Sequence, residues 1–238
     1  MKISQRIHFP LAFFVFQYWN LTVYLTVRVL NLNGKFNVQE RWFGHMLNFL
    51  DFTTPMNISF EGVAAVVFYF TIYSLIGWLL ENSYSYMTKR KFFKPNFFHG
   101  PFKPMYGFAP VLLVYLIGPE TNWGVILLLC FFIPTFIEYS SGALLQKFFQ
   151  RQWWDYSDMP LQIHGHICLP FSLCWILLSL ACLKWVHPAI VSVYGATEMV
   201  WEWIWPAVIL YFIAELALSI RRHSSQVLEE AESPNSIQ

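Results

Sequence analysis

The chain has 238 residues, of which 56% are hydrophobic, 20% aromatic and only 12% charged, with a formal net charge of +1. A soluble domain carries about twice that charged fraction, and a water-exposed fold of this composition would present large apolar patches and aggregate. The near-zero net charge gives no reason to expect nucleic acid or an acidic partner, so the composition points to an all-α bundle whose principal partner is the lipid bilayer.

A membrane-crossing helix needs about 20 mostly apolar residues, and six stretches approach that. The first, 9–30, follows Lys2 and Arg6. It is too long for a signal-peptide core and no Ala-x-Ala site follows, so it reads as a retained anchor. In the loop 31–61, Trp42, Phe43, Met46, Leu47 and Leu50 share one helical face, which predicts an interfacial helix. The second stretch is 62–80. The third, 104–118, is crowded by Pro104, Gly107 and Pro110 and ends at Gly118-Pro119, so it is a short or kinked span. The fourth, 121–138, contains Pro134, which removes a backbone hydrogen bond and bends a helix. The fifth and sixth are 167–186 and 202–220. The polar, acidic tail 223–238 reads as disordered. The chain thus divides into an anchor with its outer loop (1–61), a transmembrane core (62–186), a last helix (187–222) and the tail.

Basic residues set the orientation. Lys2 and Arg6 precede the first span; Lys89, Arg90, Lys91, Lys94 and Lys103 lie between the second and third. Lys147 and Arg151 lie between the fourth and fifth, and Arg221 and Arg222 follow the sixth. The other side has only Lys35, Arg41 and Lys184, besides Arg28 within the outer end of the first span. This asymmetry predicts six spans with both termini cytoplasmic. Trp123, Trp185, Trp201, Trp203 and Trp205 then fall near outer boundaries, and Trp78, Trp153 and Trp154 near inner ones, as tryptophan's preference for the headgroup level requires.

Two cytoplasmic segments carry the candidate chemistry. In the first, Glu81 ends the second span and GPFKPMYG follows, with Gly100, Pro101, Pro104 and Gly107 around Lys103 and Tyr106. Two prolines and two glycines there fix a non-helical turn at the membrane surface, either a re-entrant element or, the preferred reading, a stiff connector. In the second, Glu138 lies four residues after Pro134. Glu81 and Glu138 either share a cavity with Lys103, Arg151 or a histidine, or reach out to water. Leu144, Leu145, Phe148, Phe149 and Trp153 recur at helical spacing along the inner surface. Asp155 is placed to receive a basic group or substrate amine, or to cap the next helix. Glu215 is either part of a polar path or a partner of Arg28 or another helix.

His164, His166 and Cys168 alternate and would share a face of an extended segment, but no second ligand pair accompanies them, so neither metal nor cofactor is expected. Protonatable histidines near a cavity are the preferred use. The four cysteines, Cys130, Cys168, Cys174 and Cys182, form no Cys-x-x-Cys pair and read as small buried hydrophobes. No phosphate loop, His-Glu-x-x-His or Gly-x-Ser-x-Gly motif is present, so the chain carries no recognised ATPase or hydrolase machinery and no catalytic residue is assigned.

The ordered set Tyr73-Ser74, Gly77-Trp78, Glu81, GPFKPMYG, Glu138-Tyr139, WWDYS with Trp154 and Asp155, Gly165 and Ile167-Cys168 resembles the bacterial family described as ABC-transporter type IV permeases, or CmpB-like membrane proteins. The resemblance covers about residues 66–185. It departs from the family pattern at Pro95-Asn96, where an Arg-Gly pair is usual, and at Gln162 and His166, where Asn and Arg are usual. These losses weaken the case for a fixed anion site, since Lys94 and Lys103 lack arginine's bidentate geometry. The resemblance implies a permease subunit, with a separate ATPase docking on the two cytoplasmic segments. A membrane-embedded enzyme acting on lipid, with the carboxylates and histidines as acid and base, and a membrane scaffold or sensor are the alternatives. A homo-oligomer stays open.

Overall fold

The computed structural model describes residues 62–232. The first stretch 9–30, the interfacial helix and residues 233–238 lie outside that range. Helix α1 (Gly62–Lys89) is followed by α2 (Pro104–Leu116) and α3 (Trp123–Phe149). A small antiparallel hairpin, β1 (Gln162–Ile163) with β2 (Ile167–Cys168), leads into α4 (Leu169–Ala181), a π-helical turn (Cys182–Val186) and α5 (His187–Glu232).

Each boundary has a local cause. Helix α1 stops where Arg90 adopts a left-handed conformation, φ 56°, and its N–H donates to the Tyr86 carbonyl at 3.0 Å. Lys94 precedes a proline and is biased away from helix, which keeps the chain irregular. Helix α2 opens on Pro104, whose missing N–H costs nothing at a first helical position. Asn122 caps α3 by accepting the Gly124 N–H at 2.7 Å. Pro170 sits in the first turn of α4.

Among the described residues, three helical stretches are long and apolar enough to cross a membrane: Gly62–Lys89, Trp123–Phe149 and Leu169–Glu229. At about 1.5 Å per residue, α1 is long enough to span roughly 30 Å of hydrocarbon. Helix α2, with 13 residues, reaches only about 20 Å, so the third expected span is a short helix. The fifth and sixth stretches, expected to be separated by an outer connection, are joined in one helical run. Polar residues within 187–201 lower hydropathy, but none of them stops a helix. The run also continues through residues 223–232, expected to be disordered, and α3 continues through Leu144–Phe149 rather than ending in a separate surface helix.

Large apolar side chains face outward, and a set of polar groups is buried beside the apolar cores. Leu79, Leu128, Phe132, Phe136, Trp203, Leu210 and Ile213 are exposed, whereas Ser74, Asn82, Thr135, Glu138, Ser179, His187, Glu215 and Ser219 are buried. That arrangement suits a solvent of lipid, in which outward leucine is at no disadvantage and inward polar groups join helices. One core joins α1 to α5 through Ala65, Phe68, Tyr69, Tyr73, Ile190 and Tyr194. A second joins α2, α3 and the π turn through Leu113, Ile117, Ile126, Cys130 and Leu183. Within the first core Tyr73 Oη and His187 Nδ1 are 2.7 Å apart, both buried. The pairings along α5 first run towards the start of α1, where Trp201 Nε1 donates to the Ala64 carbonyl at 2.8 Å. They then reach the segment after α1, where Phe212 packs on Phe102 and His223 stacks on Phe97.

Candidate functional site

Helices α1 and α2 meet through glycines that exchange bulk. A Cβ at Gly77 would strike Tyr106 at its Cβ and Cγ, and one at Gly107 would strike Phe70 and Ser74 Oγ. Glycine is needed because α2 lies against α1 with no room for a side chain. Of the GPFKPMYG stretch, expected to be a non-helical turn, the second half is already the start of α2, and the connector ahead of it is held by its backbone. The Lys103 N–H donates to the Ser74 carbonyl at 3.0 Å and Asn96 Nδ2 donates to the Phe102 carbonyl at 3.1 Å. Gly100 lies under Phe102 and the Tyr211 hydroxyl. Pro101 sits between these two anchored residues.

This docking brings Lys103 to Glu81. Lys103 Nζ and Lys94 Nζ both donate to Glu81 Oε2, at 2.5 and 2.9 Å. Burial, with Lys94 alongside, holds the Lys103 ammonium below the ordinary lysine value against the pull of Glu81. Tyr106, one helical turn along, lies against Gly77 of α1, and its ring meets Trp175 of α4 edge-on, centroids 5.8 Å apart.

Glu138 is 3% exposed. Its carboxylate accepts from Tyr156 Oη at 2.9 Å and from Trp175 Nε1 at 2.7 Å. Both donors are neutral. Burial and the Glu138 charge push the Tyr156 phenol well above its ordinary value, so it stays a donor at any physiological pH. Arg151, a candidate partner by sequence, instead lies over the Trp153 ring at 5.6 Å.

Asp155, His164 and His166 form a second group that Tyr156 joins to the first. Asp155 Oδ1 accepts from the Ser157 N–H at 2.9 Å and from its hydroxyl, so it closes a turn rather than capping a helix. His164 Nδ1 lies 3.1 Å from Tyr139 Oη. The His166 carbonyl accepts from Trp154 Nε1 at 2.8 Å, and the Gly165 carbonyl from the Tyr156 N–H at 2.9 Å. Gly165 takes a positive φ of 71° against Asp155, where a side chain would be both strained and blocked. Burial and neighbouring His164 lower the His166 pKa, with Asp155 opposing them. Cys168 is buried. Among the described residues no three His, Cys, Asp or Glu side chains gather as metal ligands.

The structure therefore brings Glu81, Lys103, Tyr106 and Glu138 into one layer, with Gly77 and Gly107 setting the helix approach. Trp78 lies outside that layer and packs edge-on against Phe92. Sequence reasoning missed Lys94, Tyr156 and Trp175 as carboxylate partners. Tyr156 lay within the WWDYS motif and was the one a motif reading had within reach. Glu215 accepts from the His99 N–H at 3.2 Å, and Arg222 Nη1 lies 2.8 Å from His99 Nε2, so the end of α5 grips the same connector.

Neither a curated protein nor a solved structure matches the chain. A family model does, and it reaches past the motifs near residue 185 to include α5 as far as Ile220. Across residues 68–220, more than half of its length, the chain matches the family described as Putative ABC-transporter type IV, and it belongs to that family.

Proposed function

We propose that this chain is the membrane subunit of an ABC-type transporter, energised by a separate ATPase and lying in the bacterial cell membrane. Its six spans leave both termini in the cytoplasm, in accord with the distribution of Lys and Arg. Glu81, Lys103, Tyr106 and Glu138 line or gate the cytoplasmic side of the path, and Asp155, His164 and His166 form its rim. The single observation that carries this reading is the Tyr106 ring, which lies against Gly77 of α1 and meets Trp175 of α4, the donor to the buried Glu138 of α3. Ionisable groups on separate spans that converge in one buried layer are the usual mark of a pathway through a membrane bundle. The ATPase docks on 82–104 and 139–166.

The test is mild-detergent isolation of the tagged chain from native membranes, with mass spectrometry of what co-purifies. A stoichiometric ATPase subunit is the expected result. Recovery of the chain alone, under conditions that preserve a known ABC complex, would overturn the ABC reading.

A further inference from the structure

The C-terminal end of α1 carries a surface that the carboxylate layer does not use. From Asn82 to Gly118 the sequence holds Lys89, Arg90, Lys91, Lys94 and Lys103 and no carboxylate at all. Lys94 and Lys103 are engaged by Glu81. Lys89, Arg90 and Lys91 are exposed and have no ion pair among the described residues. Two residues on, Phe93 is 79% exposed. It is not a loose side chain, because its ring rests on those of Phe92 and Trp78, with centroids 5.3 and 6.4 Å away.

The partial negative charge at a helix C-terminus favours cations in the last turn, which accounts for part of the basic run. It does not account for an aromatic ring held outward beside that run. A ring at the end of an apolar span, next to three exposed cations, suits the level where acyl chains give way to phosphates. Basic clusters of this kind immediately beyond a span attract anionic lipid.

We propose that Lys89, Arg90, Lys91 and Phe93 form a binding site for an anionic phospholipid. The three cations take the headgroup phosphate and its surrounding negative charge, and Phe93 packs on the glycerol and upper acyl region. The site stands apart from the transporter reading and needs only that the chain lies in a bilayer.

The test is native mass spectrometry of the full chain in detergent, titrated with phosphatidylglycerol and phosphatidylcholine of identical acyl chains. The wild type is expected to retain phosphatidylglycerol preferentially. Each basic group near an anionic lipid surface is worth about fivefold in affinity. The triple variant Lys89→Gln, Arg90→Gln, Lys91→Gln is therefore expected to bind phosphatidylglycerol on the order of a hundredfold more weakly, at the level of phosphatidylcholine. Phe93→Ala weakens it severalfold, and Lys89→Arg with Lys91→Arg preserves it. Equal retention of the two lipids by the wild type, or undiminished phosphatidylglycerol binding in the triple variant, would overturn the proposal. Displacement of the lipid by millimolar inorganic phosphate would assign the cations to a soluble phosphate and overturn it too.

Discussion

The Tyr156 hydroxyl donates to Glu138 Oε1 at 2.9 Å across 18 residues of chain. One bond thus ties the WWDYS turn to the middle of α3, and through Trp175 the same carboxylate is tied to α4. Removal of either donor leaves a buried acceptor short of a partner, at a cost of roughly 1–3 kcal/mol. Tyr156→Phe and Trp175→Phe are each expected to lower thermal stability in detergent by that amount. Their combination should depart from additivity, because both act on one carboxylate. Glu138→Leu should be worse than either, since it strands two donors at once. A thermal melt of Tyr156→Phe indistinguishable from wild type would remove the bond from the argument.

The glycine exchange between α1 and α2 gives a sharper test. Gly77→Ala drives a methyl group against Tyr106 Cβ and Cγ and is expected to cost about 1–3 kcal/mol by overpacking. Gly195, in α5, has open space where a Cβ would go. Gly195→Ala should instead stabilise the chain by roughly 0.5–1 kcal/mol, the usual gain for alanine inside a helix. Detergent melts of the two variants should move in opposite directions.

Two lysines share one oxygen of Glu81, so the losses are not equal to the sum of singles. Lys94→Ala leaves Lys103 in place and should be mild. Removal of both strands the carboxylate, and the expected loss is roughly 3–5 kcal/mol. Adding Glu81→Gln to the double variant should recover part of it. Failure of that third substitution to help would mean that the lysines act through packing rather than charge.

His166 supplies a pH dependence with a defined sign. Its pKa in the folded chain lies below the ordinary 6.5, so the unfolded chain binds more protons as pH falls, and stability falls with it. The contribution is complete above about 6.5 and is lost progressively below that value. Melting temperatures from pH 7.5 down to 5.5 should therefore fall more steeply for wild type than for His166→Gln. Parallel curves would show that His166 is not the titrating group.

Much of the site was readable in the chain, but only as isolated pieces. Glu81 at the end of an apolar run, Pro104 at a helix start and Glu138 one turn beyond Pro134 all follow from local spacing. Their partners do not. Trp175 is 37 residues from Glu138 and His187 is 114 from Tyr73, and such pairs are decided by how helices pack. The pairing of Arg151 with a carboxylate failed because the guanidinium finds the Trp153 ring first. That the segment between the fifth and sixth stretches is itself helical was not legible for a different reason. Hydropathy falls at Gly195, Thr197 and Glu198, and a drop in hydropathy reports a change of surroundings, not the end of a helix.

The π-helical turn at Cys182–Val186 has a consequence for everything downstream of it. A π turn holds one residue more than an α turn, and each residue of an α-helix advances the side-chain direction by about 100°. Rewinding the same five residues as ordinary α-helix, with none removed, would rotate all of α5 about its axis by about 100°. His187 would then lose Tyr73, and Glu215 and His223 would swing away from the connector they grip. The phase of all of α5 is therefore stored in five residues, and a change in their winding would turn it like a key.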